Sequence, residues 1–148
     1  FNSTSGNFEV ENFVPGIASV SADTTPVLGG DLDCNGNVVE NLELSDYQET
    51  INTAGATTGT ITPDAADGPV HSITLTGNIT FNAFANPVAG QSITMIIIQP
   101  VTGNYTLTSS MLFAGGNNTL STDSDATDIL TVFYDGSDYY ASLANDFI

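Results

Sequence analysis

The residues best placed to do chemistry in this sequence are carboxylates. Asp31-x-Asp33-x-Asn35-Gly36-Asn37 copies the front half of an EF-hand calcium loop. Oxygen ligands at alternate positions, with glycine at the sixth, let one short loop wrap a hard cation. Val38 at the eighth position also suits such a loop, but the twelfth, where a bidentate Glu closes the shell, is Leu42, and the ninth is Val39. Glu40 and Glu43 fall out of register, and no amphipathic helix precedes the motif. The spacing favours a Gly/Asn-rich turn over a calcium site. A second cluster, Asp123, Asp125 and Asp128, has a spacing suited to a weak cation, although acids in such a loop more often make Asx turns. No cofactor is expected beyond a weakly bound calcium or other cation at these candidates.

His71 is the only histidine. It stands at the entrance of an expected strand, without the partners of a triad or a metal site, and reads as a satisfied structural histidine. No serine sits in a G-x-S-x-G elbow. Paired carboxylates suit glycoside hydrolysis, but the chain lacks the tryptophans that carbohydrate-active sites usually present. A non-catalytic protein is the expectation. Cys34 is the single cysteine, which rules out an intrachain disulfide and leaves a small buried hydrophobe as its simplest role. The N-x-Ser/Thr sequons at Asn2, Asn78, Asn104 and Asn117 are what a Thr- and Asn-rich chain contains by chance.

The composition limits the partners. The 148 residues include no lysine or arginine and 17 carboxylates, for a formal net charge of -17. An ordinary chain of this length would carry roughly 18 basic residues. Phosphate contacts need Lys or Arg, so nucleic acid is excluded as a partner, and anionic lipid is disfavoured for the same reason. Lys or Arg salt bridges cannot contribute to stability; spacing, salt, bound cations or backbone N–H groups must relieve the repulsion. The most apolar run, Ile93–Ile98, is too short to span a bilayer, and no membrane association is expected. Phe1 is an unusual start and suggests a processed product or a segment of something longer.

These residues must be positioned by an all-β scaffold. Residues 1–56 read as an extended N-terminal arm and turn segment, with mild helical character over Val38–Thr50 and a small-residue linker at Thr53–Gly59. Residues 57–148 read as a β-sandwich domain. Ile73, Leu75, Ile79 and Phe81 alternate with Thr74, Thr76, Asn78 and Thr80, the pattern of a half-buried antiparallel strand or of a pair broken near Gly77-Asn78. Ser92–Gln99 is apolar on both faces, as in a central strand. Asp135-Gly136-Ser137 between β-branched and aromatic runs is a strong hairpin signal. Seven or so short strands imply an antiparallel β-sandwich or jelly roll.

The run Ser72–Phe81, the turn Asn86–Ser92 and the ending Asp128–Leu143 resemble a β domain that recurs in structural proteins of tailed phages, notably marine and cyanobacterial ones. Thr25–Asn37 resembles a second phage element found ahead of that domain in tail-fibre and tail-knob proteins. Similar sequences carry lysines around Met111–Thr119, and this one has none there. The resemblance implies a virion-surface protein, tail-fibre-like or a capsid decoration, that docks other virion proteins as a homo-oligomer, with a trimer favoured. It also implies attachment to a host-surface glycan or protein, for which Tyr105, Tyr134, Tyr139 and Tyr140 are the candidate contacts. The alternative is a cellular extracellular adhesin or filament subunit assembled through its N-terminal arm.

Overall fold

The computed structural model describes residues 34, 35 and 37–148. Residues 1–33 and 36, and with them Asp31, Asp33 and most of the N-terminal arm and turn segment, lie outside the described residues. The chain divides into two units, residues 1–44 and 45–148, and all of the strands lie in the second.

Seven strands form it: β1 (Ile51–Ile61), β2 (Val70–Phe81), β3 (Gln91–Ile98), β4 (Leu107–Thr108), β5 (Leu112–Phe113), β6 (Thr127–Tyr134) and β7 (Tyr139–Phe147). Among the described residues, the only helical pieces are single 3-10 turns at Ala65–Asp67 and Ala114–Gly116. The all-β class is therefore as expected from the sequence. Two local expectations are corrected. Val38–Thr50 forms no helix, and Val38, Leu42, Leu44 and Tyr47 within it are exposed. Thr53–Gly59 is not a linker but part of β1, which runs along β2 from Ile51↔Val70 to Ile61↔Phe81.

The pairing also departs from the expected antiparallel arrangement. The sheet is mixed, in the order β1-β2-β3-β6-β7-β5, with β4 pairing β2. The β1–β2, β2–β3, β2–β4 and β5–β7 ladders are parallel, while β3–β6 and β6–β7 are antiparallel. The reason lies in the connections. Residues 62–69 and 82–90 each carry the chain back to start the next strand in the same direction, and they are stacked on one another. Asp64 and Ala85 form a parallel bridge, Ala65 N donates to Ala85 O at 2.9 Å, and Ala85 N donates to Pro63 O at 2.8 Å. Alternation of apolar residues sets which face is buried but not the direction of the neighbour.

β2 is one continuous strand with two sets of neighbours rather than a hairpin. Val70–Thr74 pair with β3, and Ile79–Thr80 pair with β4. Between them the β1 register slips, so that Thr57 faces Leu75 but Gly59 faces Ile79. Gly77 sits in this bulge, where an added Cβ would lie 2.1 Å from Thr58 Oγ1, so only glycine fits. Asn78 and Asn82 then hold the β4 segment from outside, accepting from Thr106 N and Ser110 N at 3.0 and 2.9 Å.

The core gathers Ile73, Leu75, Ile79 and Phe81 of β2, Ile93, Met95 and Ile97 of β3, and Leu130 and Val132 of β6, closed by Leu107, Met111 and Leu120 from the segment between β3 and β6. The inner sheet face and this covering segment give a sandwich-like layering. Each fully buried aliphatic side chain contributes about 1.5–3 kcal/mol. Gln99 is buried beneath the cover, where its Nε2 donates to Tyr105 O and Ser121 O, both at 2.8 Å, and its Oε1 accepts from Tyr105 N at 3.1 Å. One side chain thus fixes two loop strands over the end of β3.

Candidate functional site

Of the acidic candidates, Asn35, Asp123, Asp125 and Asp128 lie among the described residues, and Asp31 and Asp33 do not. Among the described residues, no three His, Cys, Asp or Glu side chains come together in a metal-holding arrangement. Asn35 is exposed in a left-handed conformation (φ 47°), in a turn closed by Asn37, whose backbone N and Nδ2 both donate to Cys34 O. Asp123 and Asp125 are exposed, and Ser124 Oγ donates to Asp125 Oδ2 at 3.3 Å. Asp128 turns the other way and is only 1% exposed. Its carboxylate accepts from Ser121 N, Ser121 Oγ, Asn145 Nδ2 and Asp146 N, which makes it an internal tie between a loop and the end of β7.

The four tyrosines separate in a similar way. Tyr105 is half-buried against the core. Tyr134 and Tyr139 face each other across the β6–β7 ladder and stack, with ring centroids 4.6 Å apart and planes 28° from parallel. Tyr134 Oη donates to Gly136 O at 2.9 Å, and Tyr139 packs on Phe84 at 6.3 Å. These two rings close the hairpin. Tyr140, one residue on, points to the opposite face and is 46% exposed.

Tyr140 has neighbours that the sequence reading did not single out. It pairs with Phe133 across β6–β7 and with Leu112 across β5–β7. Phe133 is 41% exposed and Leu112 52%. The three form a continuous apolar row over three strands, lining a cleft of about 420 Å³ with Thr131 and Ser142. The signal lies in the alternation of β6: Val132 and Leu130 face the core, so Phe133 faces out.

The turn at the end of this row is acidic and rigid. Asp135 Oδ1 accepts from Ser137 N and Asp138 N, both at 2.8 Å, and Asp135 N donates to Asp138 O at 3.2 Å. The N–H groups of Asp138 and Ser137 hold the Asp135 carboxyl below its usual range. The Asp135 charge, followed by burial and the Asp138 charge, raises the Tyr140 phenol above its usual value. Gly136 takes φ 108° in this turn, and an added Cβ would come within 3.1 Å of Ala89 Cβ. The site is thus an apolar, aromatic row ending in two fixed negative charges.

Residues 61–139, just over half of the chain, match the family described as "Putative phage tail fibre C-terminal domain". The match begins at the last residue of β1 and ends on Tyr139, so it takes in β2 to β6 and the acidic turn. No curated protein and no solved structure matches the chain. No helix among the described residues is long and apolar enough to cross a membrane. The family is one of structural rather than catalytic domains, exposed on the virion, and the chain belongs to it: this is a structural protein of the bacteriophage particle, of the tail-fibre C-terminal domain family.

Proposed function

We propose that the domain is a docking and attachment module of the fibre, and that the outer row Phe133–Tyr140–Leu112 is the surface that meets the host. The observation that carries this reading is the exposed apolar row itself. A small acidic domain keeps its surface soluble through charge, and a continuous aromatic row over three strands is retained where something is to be bound. The acidic turn selects against phosphate-rich surfaces and favours a neutral glycan or a basic protein patch. Asp31, Asp33, Asn35, Asp123, Asp125 and Asp128 take no part in this role.

Assembly is the second half of the proposal. Val38, Leu42, Leu44, Tyr47 and Ile51 are exposed apolar side chains along the segment leading into the β domain. Burying them against two further copies gives a homotrimer, with the chain's acids kept outward. Light scattering on the purified protein should return the mass of three 15.3 kDa chains; a monomer at micromolar concentration contradicts the trimer. Imaging of particles decorated with a labelled antibody should place the chain on the fibre. Label on the head shell overturns the fibre assignment.

A further inference from the structure

A second cavity, of about 380 Å³, opens between β1 and β2, away from the Phe133 row. Its apolar wall is Ala54, Ile61, Pro63 and Ile73, and its polar wall is Asn52, Thr57, Thr62, Asp64, Asp67 and His71. His71 is only 3% exposed. Its Nε2 is the one buried side-chain nitrogen or oxygen without a hydrogen-bond partner among the described residues. The satisfied histidine expected from the sequence is therefore buried but not satisfied. A buried polar atom without a partner is destabilising, so its place in a residue that lines a cavity has to be explained.

The carboxylates are held in place before any ligand arrives. Asp64 caps the 3-10 turn through Ala66 N at 2.9 Å and accepts from Asn86 Nδ2 at 2.8 Å. Asp67 accepts from Asn52 Nδ2 at 3.1 Å. Each carboxylate keeps lone pairs to spare. The polar wall thus carries two fixed carboxylates among neutral polar side chains, and the remaining wall is apolar. That combination matches an organic cation on an aliphatic stem. A bare metal ion is a poor match, because no three metal-ligating groups converge among the described residues and the volume is far larger than an ion needs.

We propose that this cavity receives the side chain of a lysine or arginine from a different polypeptide. The composition points to the source: none of these 148 residues is Lys or Arg, so neither they nor the same residues of a second copy can fill the cavity. The charge complementarity is with a basic partner protein, and the inference stands independently of the attachment role given to the Phe133 row.

The test exploits His71 being the only histidine, so that a single imidazole signal reports on the site. Nα-acetyl-arginine methylamide, its lysine analogue and its norleucine analogue are titrated into the full chain at constant ionic strength, followed by NMR. The cationic probes should shift the His71 ring and the Asn52 side-chain amide saturably, and norleucine should not. Asp67→Asn should weaken binding roughly tenfold, Ala54→Leu should block it without altering charge, and Asp123→Asn should leave it unchanged. The proposal is overturned if neither cation moves the His71 signal, if norleucine moves it equally, or if Asp123→Asn weakens binding as much as Asp67→Asn. A stronger response to glucosamine or to calcium chloride also overturns it, in favour of a saccharide or a metal site.

Discussion

The Asp128 carboxylate takes both the hydroxyl and the backbone N–H of Ser121, at 2.6 and 2.8 Å, with the whole group withdrawn from solvent. In a chain without Lys or Arg this is how a buried negative charge is accommodated: neutral donors do the work of a counter-ion. Asn145 Nδ2 and Asp146 N complete the set, so a loop and the end of β7 depend on one side chain. Asp128→Ala should lower the unfolding free energy by about 3 kcal/mol or more, because four donors lose their acceptor at once. Ser121→Ala should cost about 1–2 kcal/mol, since only the hydroxyl is lost. Urea unfolding measures both. Equal effects would mean that the four bonds do not act through the carboxylate.

Gly77 and Thr58 meet where β2 changes neighbours. Gly77→Ala should destabilise by about 1–3 kcal/mol through overpacking against Thr58 Oγ1. Thr58→Ala, added to it, should recover part of the loss, and a double-mutant cycle would expose the coupling. Simple additivity would place the strain elsewhere.

Much of this fold was legible because alternation is a local signal. Alternation puts Ile73, Leu75, Ile79 and Phe81 on one face, Ser92–Gln99 reads as a central strand and Asp135-Gly136 as a hairpin turn; the structure buries those four side chains, runs β3 over Gln91–Ile98 and turns β6 into β7 at Asp135-Gly136. Strand direction was not legible, since it depends on how residues 62–69 and 82–90 stack, and that is a contact between two irregular segments distant in sequence. The docking row was half legible: Tyr140 was named with three other tyrosines, but exposure depends on strand parity. Tyr139 and Tyr140 are adjacent and face opposite sides. The unpartnered His71 had no sequence signature, because whether a nitrogen finds a partner is decided by packing.

The hairpin turn should respond to pH with a definite sign. Backbone N–H groups stabilise the ionised Asp135, so its carboxyl titrates below the usual range in the folded state. The stabilisation is present above the unfolded carboxylate value and is lost as pH falls through the depressed folded value. Amide exchange at Ser137 and Asp138 should therefore accelerate only below the ordinary carboxylate range. At the alkaline end, the Asp135 charge raises the Tyr140 phenol. Asp135→Asn should bring Tyr140 back toward its ordinary value, as followed by tyrosine-ring NMR. An unmoved Tyr140 would show that the acid and the phenol are not coupled.

The charge of -17 makes any homotypic contact sensitive to salt. Dilute buffer with a chelator should shift the proposed trimer toward smaller species, and about 0.15 M salt should restore it, because the screening length falls to about 8 Å. Sedimentation at two ionic strengths reads this. An unchanged assembly would show that self-repulsion is relieved within each chain.

The central claim is that the Phe133–Tyr140–Leu112 row is the surface that meets the host, and phage adsorption tests it most directly. Particles carrying Phe133→Ser with Tyr140→Ser should assemble normally, because both side chains point away from the core, and should adsorb to host cells at least tenfold more slowly than the parent. Purified parent domain should compete for adsorption, and the double variant should not. Normal adsorption by intact particles carrying both substitutions would contradict the claim.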